Sequence, residues 1–155
     1  MTDKAHNESF VRWQGITITQ LGYVTNLILG FATASLGFSL TLLKDNHFDP
    51  QHWEKAFFDF SLGLLGCSLI LGILCVGNRL WDFRKTTRIA KDRGQWARDG
   101  MPDEEINTTL KQRREAVEKL GKRTWVLFHL QLGSFAFGLL ALVLVFISMY
   151  RTKLF

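Results

Sequence analysis

The sequence predicts an all-α fold: a polytopic membrane protein with three transmembrane helices, the last two extended into a cytoplasmic antiparallel helical hairpin. Three uncharged runs predict the spans, namely Trp13–Leu43, Phe60–Asn78 and Thr124–Tyr150, which are 31, 19 and 27 residues long. A helix needs about 20 apolar residues to cross a bilayer core of about 30 Å, so each run qualifies. The connection 79–123 carries 13 basic and 8 acidic residues, which identifies it as cytoplasmic.

The chain divides into seven segments. Residues 1–15 form a cytoplasmic N-terminal segment whose first twelve residues we expect to be loosely structured, and 16–43 form the first transmembrane helix. Asp49-Pro50 favours a turn and a helix start, so an extracytoplasmic loop (44–56) leads into the second transmembrane helix (57–78). The other segments are the cytoplasmic basic helical hairpin (79–123), the third transmembrane helix (124–150) and an extracytoplasmic tail (151–155).

The first apolar run has one feature of a secretory signal peptide, because Ala32-Thr33-Ala34 is similar to a cleavage site. The residues before the run are only weakly basic, since Lys4 and Arg12 are offset by acidic residues. The residues after the site, 35–43, stay apolar. We therefore expect the run to remain in the protein as a span.

The distribution of basic residues predicts the orientation. The connection 44–59 has two basic and four acidic residues, far fewer basic residues than 79–123. The positive-inside rule then predicts a multi-pass protein of the cell inner membrane with a cytoplasmic N-terminus. Arg151 and Lys153 lie on the opposite side, a small conflict that the larger connection outweighs.

The hairpin is predicted from helical periodicity and one turn. Gly100-Met101-Pro102 fits a helix end followed by a new helix start. Pairing about Gly100 brings together positions whose numbers add to about 200. On a helical wheel one face of the first arm should then pack against one face of the second. These faces are Leu80, Phe83, Thr87, Ala90, Gly94 and Ala97 on the first arm, and Ile106, Leu110, Val117 and Leu120 on the second.

Five polar residues interrupt the apolar runs in their cytoplasmic half. They are Gln20, Asn26, Asn78, His129 and Gln131. One interpretation is a polar pocket or conduction path. The other is a set of interhelical hydrogen bonds, each contributing about 1 kcal/mol.

We expect neither a cofactor nor catalysis. A haem would call for a second axial ligand, and no His besides His129 lies in a span. A proton relay would call for a buried carboxylate, and the only candidate, Asp59, is expected at the opposite membrane face. The loop residues Asp45, His47, Asp49 and His52 match no established metal-ligand spacing. The sequence contains no nucleophile–His–acid set and no Gly-rich phosphate loop.

Small residues occur at helix-packing spacing in every span, which lets helix backbones approach closely in lipid. The positions that we assign to packing are Gly30, Ala34, Gly37, Gly63, Gly66, Gly72 and Gly138. Three spans cannot use all these faces internally, so we expect a homo-oligomer. Cys67 and Cys75 are about 12 Å apart along one helix, too far for a disulfide.

The basic residues of the hairpin predict anionic partners. Those assigned to lipid headgroups or phosphate are Arg79, Arg84, Lys85, Arg88, Lys122 and Arg123. Residues further from the membrane, such as Lys91 and Arg98, suit a cytoplasmic protein, a nucleotide signal or simply solvent. We expect no specific nucleic-acid partner.

The stretch 78–90, NRLWDFRKTTRIA, resembles a segment of small bacterial membrane proteins. The architecture of 57–150, two spans that continue into a cytoplasmic hairpin, resembles the bacterial SLATT-type membrane effectors. The chain departs from that architecture by its additional first span. The resemblance implies an oligomeric, pore-forming role in antiviral defence, triggered from the cytoplasm.

The sequence therefore predicts a small self-associating bacterial inner-membrane protein. It would perturb or gate the membrane in response to a cytoplasmic signal or partner. The alternative is a non-catalytic membrane anchor or accessory subunit that recruits a cytoplasmic partner. A holin-like phage protein is a third interpretation, but such proteins usually carry their charge in a terminal tail.

Overall fold

Three long helices make up the computed structural model, which describes residues 2–44 and 51–151. The helices are α1 (Thr2–Leu43), α2 (His52–Arg98) and α3 (Asp103–Met149). Each contains a segment long and apolar enough to cross a membrane. The prediction of an all-α chain with three such helices is confirmed.

Two helix starts differ from the predicted boundaries. Helix α1 begins at Thr2, so the expectation of a loose segment over residues 1–12 is wrong. No Pro or Gly occurs before Gly15, and nothing in that stretch interrupts helical hydrogen bonding. Helix α2 begins at His52, inside the segment 44–56 assigned to a loop, while residues 45–50 and 152–155 lie outside the described part of the chain.

The turn between α2 and α3 follows the prediction. Gly100 has a φ of 76°, the left-handed conformation that glycine adopts at helix C-termini. The Met101 amide donates to the Trp96 carbonyl oxygen at 3.1 Å, which satisfies one of the last carbonyls of α2. Helix α3 then starts directly after Pro102. Helices α2 and α3 therefore lie side by side in opposite directions, each about 70 Å long.

Polar side chains of α2 contact α3 at seven-residue intervals, and we call these positions of α2 the buried seam. Ser61 Oγ donates to the Gly138 carbonyl oxygen at 2.7 Å, and Ser68 Oγ to that of Gln131 at 3.1 Å. Cys75 continues the series, with its Sγ 3.7 Å from the Thr124 carbonyl oxygen. The numbers of each pair add to about 200, the register expected from a turn at Gly100.

The buried seam extends beyond these contacts in both directions. Glu54 starts the seam, and its Oε1 accepts a hydrogen bond from Ser148 Oγ at 2.7 Å. Beyond Cys75 the same interval leads to Asp82, Ile89 and Trp96, all of which are half-buried. A repeat of seven keeps one stripe of a helix against its neighbour, as in a coiled coil.

The α2 face that we predicted to pack against α3 is exposed instead, so this prediction is wrong. Phe83 is 73% exposed and Leu80 is 59% exposed, and Thr87, Ala90 and Gly94 are exposed too. The described members of the predicted α3 face point inward, because Leu110 is completely buried and Val117 and Leu120 are half-buried, while the side chain of Ile106 lies outside the described part of the structure. Asp92, half-buried beside the buried seam, instead pairs with Arg113 of α3, whose guanidinium also lies 5.3 Å from the centre of the Trp96 ring.

Helix α1 lies antiparallel to α2 and contacts it more than it contacts α3. Its buried residues recur at helical spacing: Thr25, Ile28, Ala32 and Ser39. The apolar core lies near the start of α2 and the end of α3, around Phe58, Leu65, Leu142 and Val145. Leu36 of α1 packs on this core, so all three helices share it.

Cross-linking distinguishes the side of α2 that faces α3 from its exposed face. In a chain with Cys67→Ser and Cys75→Ser, the pair Asp92→Cys and Arg113→Cys should be joined by a short bis-maleimide, because these side chains contact each other. The control pair Ala90→Cys and Arg113→Cys should remain unjoined, because Ala90 points away from α3. Gel mobility after proteolysis between the helices measures both. Equal yields would show that α2 has a different rotation from the one described.

Candidate functional site

The five predicted polar residues separate into two groups. Asn78 and Gln131 lie at helix contacts, whereas Gln20, Asn26 and His129 are exposed on the outer faces of their helices. The Nδ1 of His129 lies 2.8 Å from the Trp125 carbonyl oxygen of its own helix, a local contact. The structure therefore brings only two of the five into one interior region.

Asn78 connects α2 to α3 where the hairpin arms leave the apolar segments. Its Nδ2 donates to the Leu120 carbonyl oxygen at 2.9 Å and to Thr124 Oγ1 at 2.8 Å. Thr124 Oγ1 in turn donates to the same Leu120 oxygen at 3.0 Å. Asn78 therefore has an interhelical hydrogen-bonding role, one of the two interpretations of these polar residues.

Gln131 is different, because its side-chain amide is buried without a partner. The residue is 0% exposed, and neither Nε2 nor Oε1 has a hydrogen-bond partner among the described residues. Its backbone carbonyl is occupied by Ser68, but that leaves the carboxamide unsatisfied. A buried polar group without a partner costs about 1–3 kcal/mol. Gln131 is thus a source of instability at the centre of the three-helix contact.

Gly72 provides the space for the Gln131 amide. A Cβ at residue 72 would lie 2.5 Å from Gln131 Nε2 and 2.6 Å from Leu29 Cδ2 of α1. Gly72 thus lies between a polar side chain of α3 and an apolar side chain of α1, with no room for a methyl group. We call this arrangement of Gln131, Gly72 and Leu29 the glutamine junction.

Four further polar residues line the same three-helix interior, and sequence reasoning did not identify any of them as functional. They are Thr25, Ser68, Cys75 and Thr124, each at most 5% exposed. Three of them lie in the series of contacts between α2 and α3. A search for small polar residues at seven-residue spacing, rather than for strongly polar ones, would have found them.

Arg79, predicted as a lipid or phosphate contact, instead binds α1. Its Nη2 donates to the Ile18 carbonyl oxygen, and its guanidinium packs against Gly22 so closely that a Cβ at residue 22 would overlap it. A carbonyl oxygen has two lone pairs, so Ile18 can accept from Arg79 as well as within its own helix. Arg79 thus holds the N-terminal half of α1 on α2.

The remaining predicted lipid or phosphate contacts stay exposed. Arg84, Lys85, Arg88 and Arg123 point outward, as does Lys122, whose Nζ pairs with Glu118 at 2.9 Å. They are open to headgroups or to a partner. Exposed pairs of this kind add little to stability, so these residues are held in place by their helices rather than by each other.

The predicted packing residues also fall into two groups. A Cβ at Gly138 would lie 3.1 Å from Leu64 Cβ, and Gly72 is equally confined. Gly30, Gly37, Gly63 and Gly66 have no atom within 4 Å of such a Cβ, and Ala34 is exposed. Only Gly72 and Gly138 therefore serve packing within one copy of the chain.

Among the described residues, no group of three or more His, Cys, Asp or Glu side chains is arranged to hold a metal ion. Cys67 is exposed and Cys75 is buried, and the two are not joined. Asp45, His47 and Asp49 lie outside the described residues. Comparison with protein-family models, with curated proteins and with solved structures finds no match.

Substitution at Gly72 tests the glutamine junction. Gly72→Ala should lower the thermal stability of the purified protein by about 1–3 kcal/mol, because the methyl group overpacks the contact with Gln131 and Leu29. Gly77→Ala on the same helix is the matched control and should have little effect, because nothing lies near that Cβ. Adding Gln131→Ala to Gly72→Ala should recover part of the loss. Circular dichroism during heating in mild detergent measures all three, and equal melting of both glycine variants would contradict the junction.

Proposed function

We propose that this chain is a self-associating inner-membrane protein of a bacterium that gates or perturbs the membrane in response to a cytoplasmic signal or partner. The observation that supports this most is the unpaired Gln131 amide, held beneath α1 in an apolar segment. By its resemblance to the SLATT-type effectors, we propose antiviral defence as the setting. The role needs no catalytic residue.

The arrangement of aromatic residues supports a membrane position. Trp81 and Trp125 lie near one end of the apolar segments of α2 and α3, and Trp53 and Tyr150 near the other. Along α2, Trp53 and Trp81 are about 42 Å apart, close to the full thickness of a bilayer with its headgroups. Tryptophan and tyrosine favour these interfaces. The hairpin arms then project from the more basic end, which we assign to the cytoplasm.

The glutamine junction gives the membrane segments an alternative state. While α1 stays in place, the Gln131 carboxamide is without a hydrogen bond. If α1 moves away, the carboxamide gains water or a polar neighbour, and Thr25 and Ser68 become accessible with it. The free energy recovered at Gln131 offsets part of the packing lost by α1. A polar path along the α1–α3 side is the resulting open form.

The long helices connect this junction to the cytoplasm. Helices α2 and α3 each run without a break between the turn at Gly100 and the aromatic residues at the opposite end, Trp53 and Tyr150. Arg79 attaches α1 at the point where the hairpin arms begin. A partner that displaces the arms therefore acts on the attachment of α1, and through it on Gln131.

Self-association is supported by the open small-residue faces. Gly30, Ala34 and Gly37 lie on one exposed side of α1, and Gly63 and Gly66 are open on α2. Small residues at such spacing allow helices of neighbouring copies to approach closely in lipid. The monomer uses none of these five positions for close packing.

The alternative function is a passive anchor that recruits a cytoplasmic partner. The exposed apolar face of the first hairpin arm favours it, because that face is open to a partner whether or not the membrane segments move. The two functions differ in one respect. Only the first requires the membrane to become permeable.

Membrane depolarisation distinguishes the two functions. Induced expression of the wild-type chain in a bacterial host should depolarise the inner membrane, measured with a potential-sensitive dye. Gln131→Met, which keeps an unbranched side chain but removes the amide, should raise thermal stability by about 1–3 kcal/mol and reduce depolarisation severalfold. His129→Met is the control, because His129 is exposed on the same helix. A wild-type chain that inserts without depolarisation would support the anchor.

Oligomer formation has its own test. Gly30→Leu should shift the purified protein from oligomer to monomer by blocking close approach between copies, without loss of thermal stability. Gly72→Leu should instead destabilise each copy, because Gly72 is confined inside it. Native mass spectrometry from mild detergent measures the shift from oligomer to monomer, and thermal melting measures the loss of stability. A wild-type monomer in several mild detergents would rule out self-association.

A further inference from the structure

The first hairpin arm has a stripe of exposed residues on one side of α2. No other described residue of the chain covers it. Leu80, Phe83, Thr87, Ala90 and Gly94 recur at alternating intervals of three and four, and all are exposed. We call these five residues the exposed stripe. It extends for about 21 Å along α2 and lies about 140° around the helix from the buried seam.

The charges beside the exposed stripe are nearly all of one sign. Residues 83–98 contain six basic residues and one acidic residue. Arg84, Lys91 and Arg98 border the stripe at seven-residue intervals and are exposed, and Arg93 is exposed towards its other side. The acidic residue, Asp92, is paired with Arg113 of α3, and Asp82, just before this range, lies in the buried seam, so neither neutralises this border.

The pattern matches one class of partner. An apolar stripe with spacing of three and four accepts the apolar face of a second helix, as in helix-in-groove recognition. Flanking positions with basic side chains select a helix with acidic residues at the facing positions. We propose that the exposed stripe is the docking surface for an acidic amphipathic helix of a cytoplasmic partner protein. This proposal rests on one part of the proposed function, namely that a partner binds the hairpin.

Among the described residues, the hairpin of a second copy does not have the required chemistry. The outward face of the other hairpin arm is formed by exposed polar residues: Glu104, Thr108, Lys111, Glu115, Glu118 and Lys122. That face contains both charges and no large apolar side chain to cover the stripe. Two exposed stripes facing each other would bring basic borders together, which is repulsive.

Lipid headgroups account for only part of the surface. The field of anionic lipids decays within a Debye length, which is about 8 Å at physiological salt. Arg84 and Lys85 lie within one turn of Trp81 and so within that range. Lys91 and Gly94 lie about 15 and 20 Å beyond Trp81 along the helix axis. The outer half of the stripe therefore needs a partner that extends into the cytoplasm.

Binding of a defined peptide tests the surface. The protein is the full chain in nanodiscs of zwitterionic phosphatidylcholine, which removes anionic lipid. The probe is a synthetic fluorescent peptide of three heptads, with Leu at its a and d positions and Glu at its e and g positions. Repulsion between the Glu residues limits pairing of the peptide with itself. Fluorescence anisotropy should show saturable binding that weakens as salt is raised.

Two comparisons establish where and how the peptide binds. Ala90→Glu, which adds a negative charge to the centre of the stripe, should weaken binding at least tenfold. The matched control Thr108→Glu, on the polar face of the other arm, should leave the affinity unchanged. A peptide with the same composition in scrambled order should bind at least tenfold more weakly than the probe. Both substituted positions are exposed, and circular dichroism checks that both variants remain folded.

Three results would overturn the proposal. They are no binding by the wild type, equal binding by the scrambled peptide, and equal binding by Ala90→Glu. The scrambled result would show that the arm attracts any polyanion, and an oligonucleotide added as a competitor would then displace the probe completely. The membrane test is independent of this one. Peptide binding without depolarisation would contradict the gating function and support the docking surface. Depolarisation without peptide binding would support the gating function and contradict the docking surface.

Discussion

The structure depends on the seven-residue repeat that holds α2 against α3. At three successive repeats in the apolar segment, a small or polar α2 side chain lies against an α3 carbonyl: Ser61 with Gly138, Ser68 with Gln131 and Cys75 with Thr124. In a lipid environment helices gain little from apolar burial against each other. Close approach and interhelical hydrogen bonds therefore provide much of the specificity. The repeat also fixes the register of the pair, so it determines where every other side chain lies.

One consequence of this close pairing is the position of Gln131. Ser68 holds the backbone of α3 at residue 131 against α2, and Gly72 leaves just enough space for the side chain to turn towards α1. The same contact that stabilises the pair therefore confines an amide where no described group satisfies it. The side-chain amide of Asn78, about two helical turns from Gln131 along the pair, is satisfied, because Leu120 and Thr124 both accept hydrogen bonds from it. The two amides differ in their surroundings, not in their chemistry.

Much of the architecture could be predicted from the sequence, because charge and apolarity determine it. Patterns of charge and apolarity in the sequence predict the three apolar helices, the turn at Gly100 and the inward face of α3 at Leu110. The buried seam of α2 could not be read in the same way. Its residues in the apolar segment are Ser61, Ser68 and Cys75, which a search for large apolar side chains ignores. Extending their interval past Cys75 would have placed the seam correctly.

The candidate site was less predictable, for a related reason. Gln131 was identified because a strongly polar residue in an apolar run is conspicuous. Whether such a residue faces inward depends on the rotation of its helix, which for Gln20, Asn26 and His129 turned out to be outward. That rotation is set by packing between helices, so it cannot be predicted from the residues of one helix alone.

The exposed stripe is not a second core that α2 turns inward under other conditions. Rotating α2 by the required angle would break the hydrogen bonds of Ser61 and Ser68 and separate Asn78 from Leu120. Each loss would leave a polar group unsatisfied in an apolar setting, and the losses add because all three lie on one rigid helix. The rotation of α2 is therefore fixed by its apolar half, while the stripe lies on its charged half. A partner that binds the stripe meets a surface already oriented by bonds far from it, and any force it applies is carried along α2 to those same bonds.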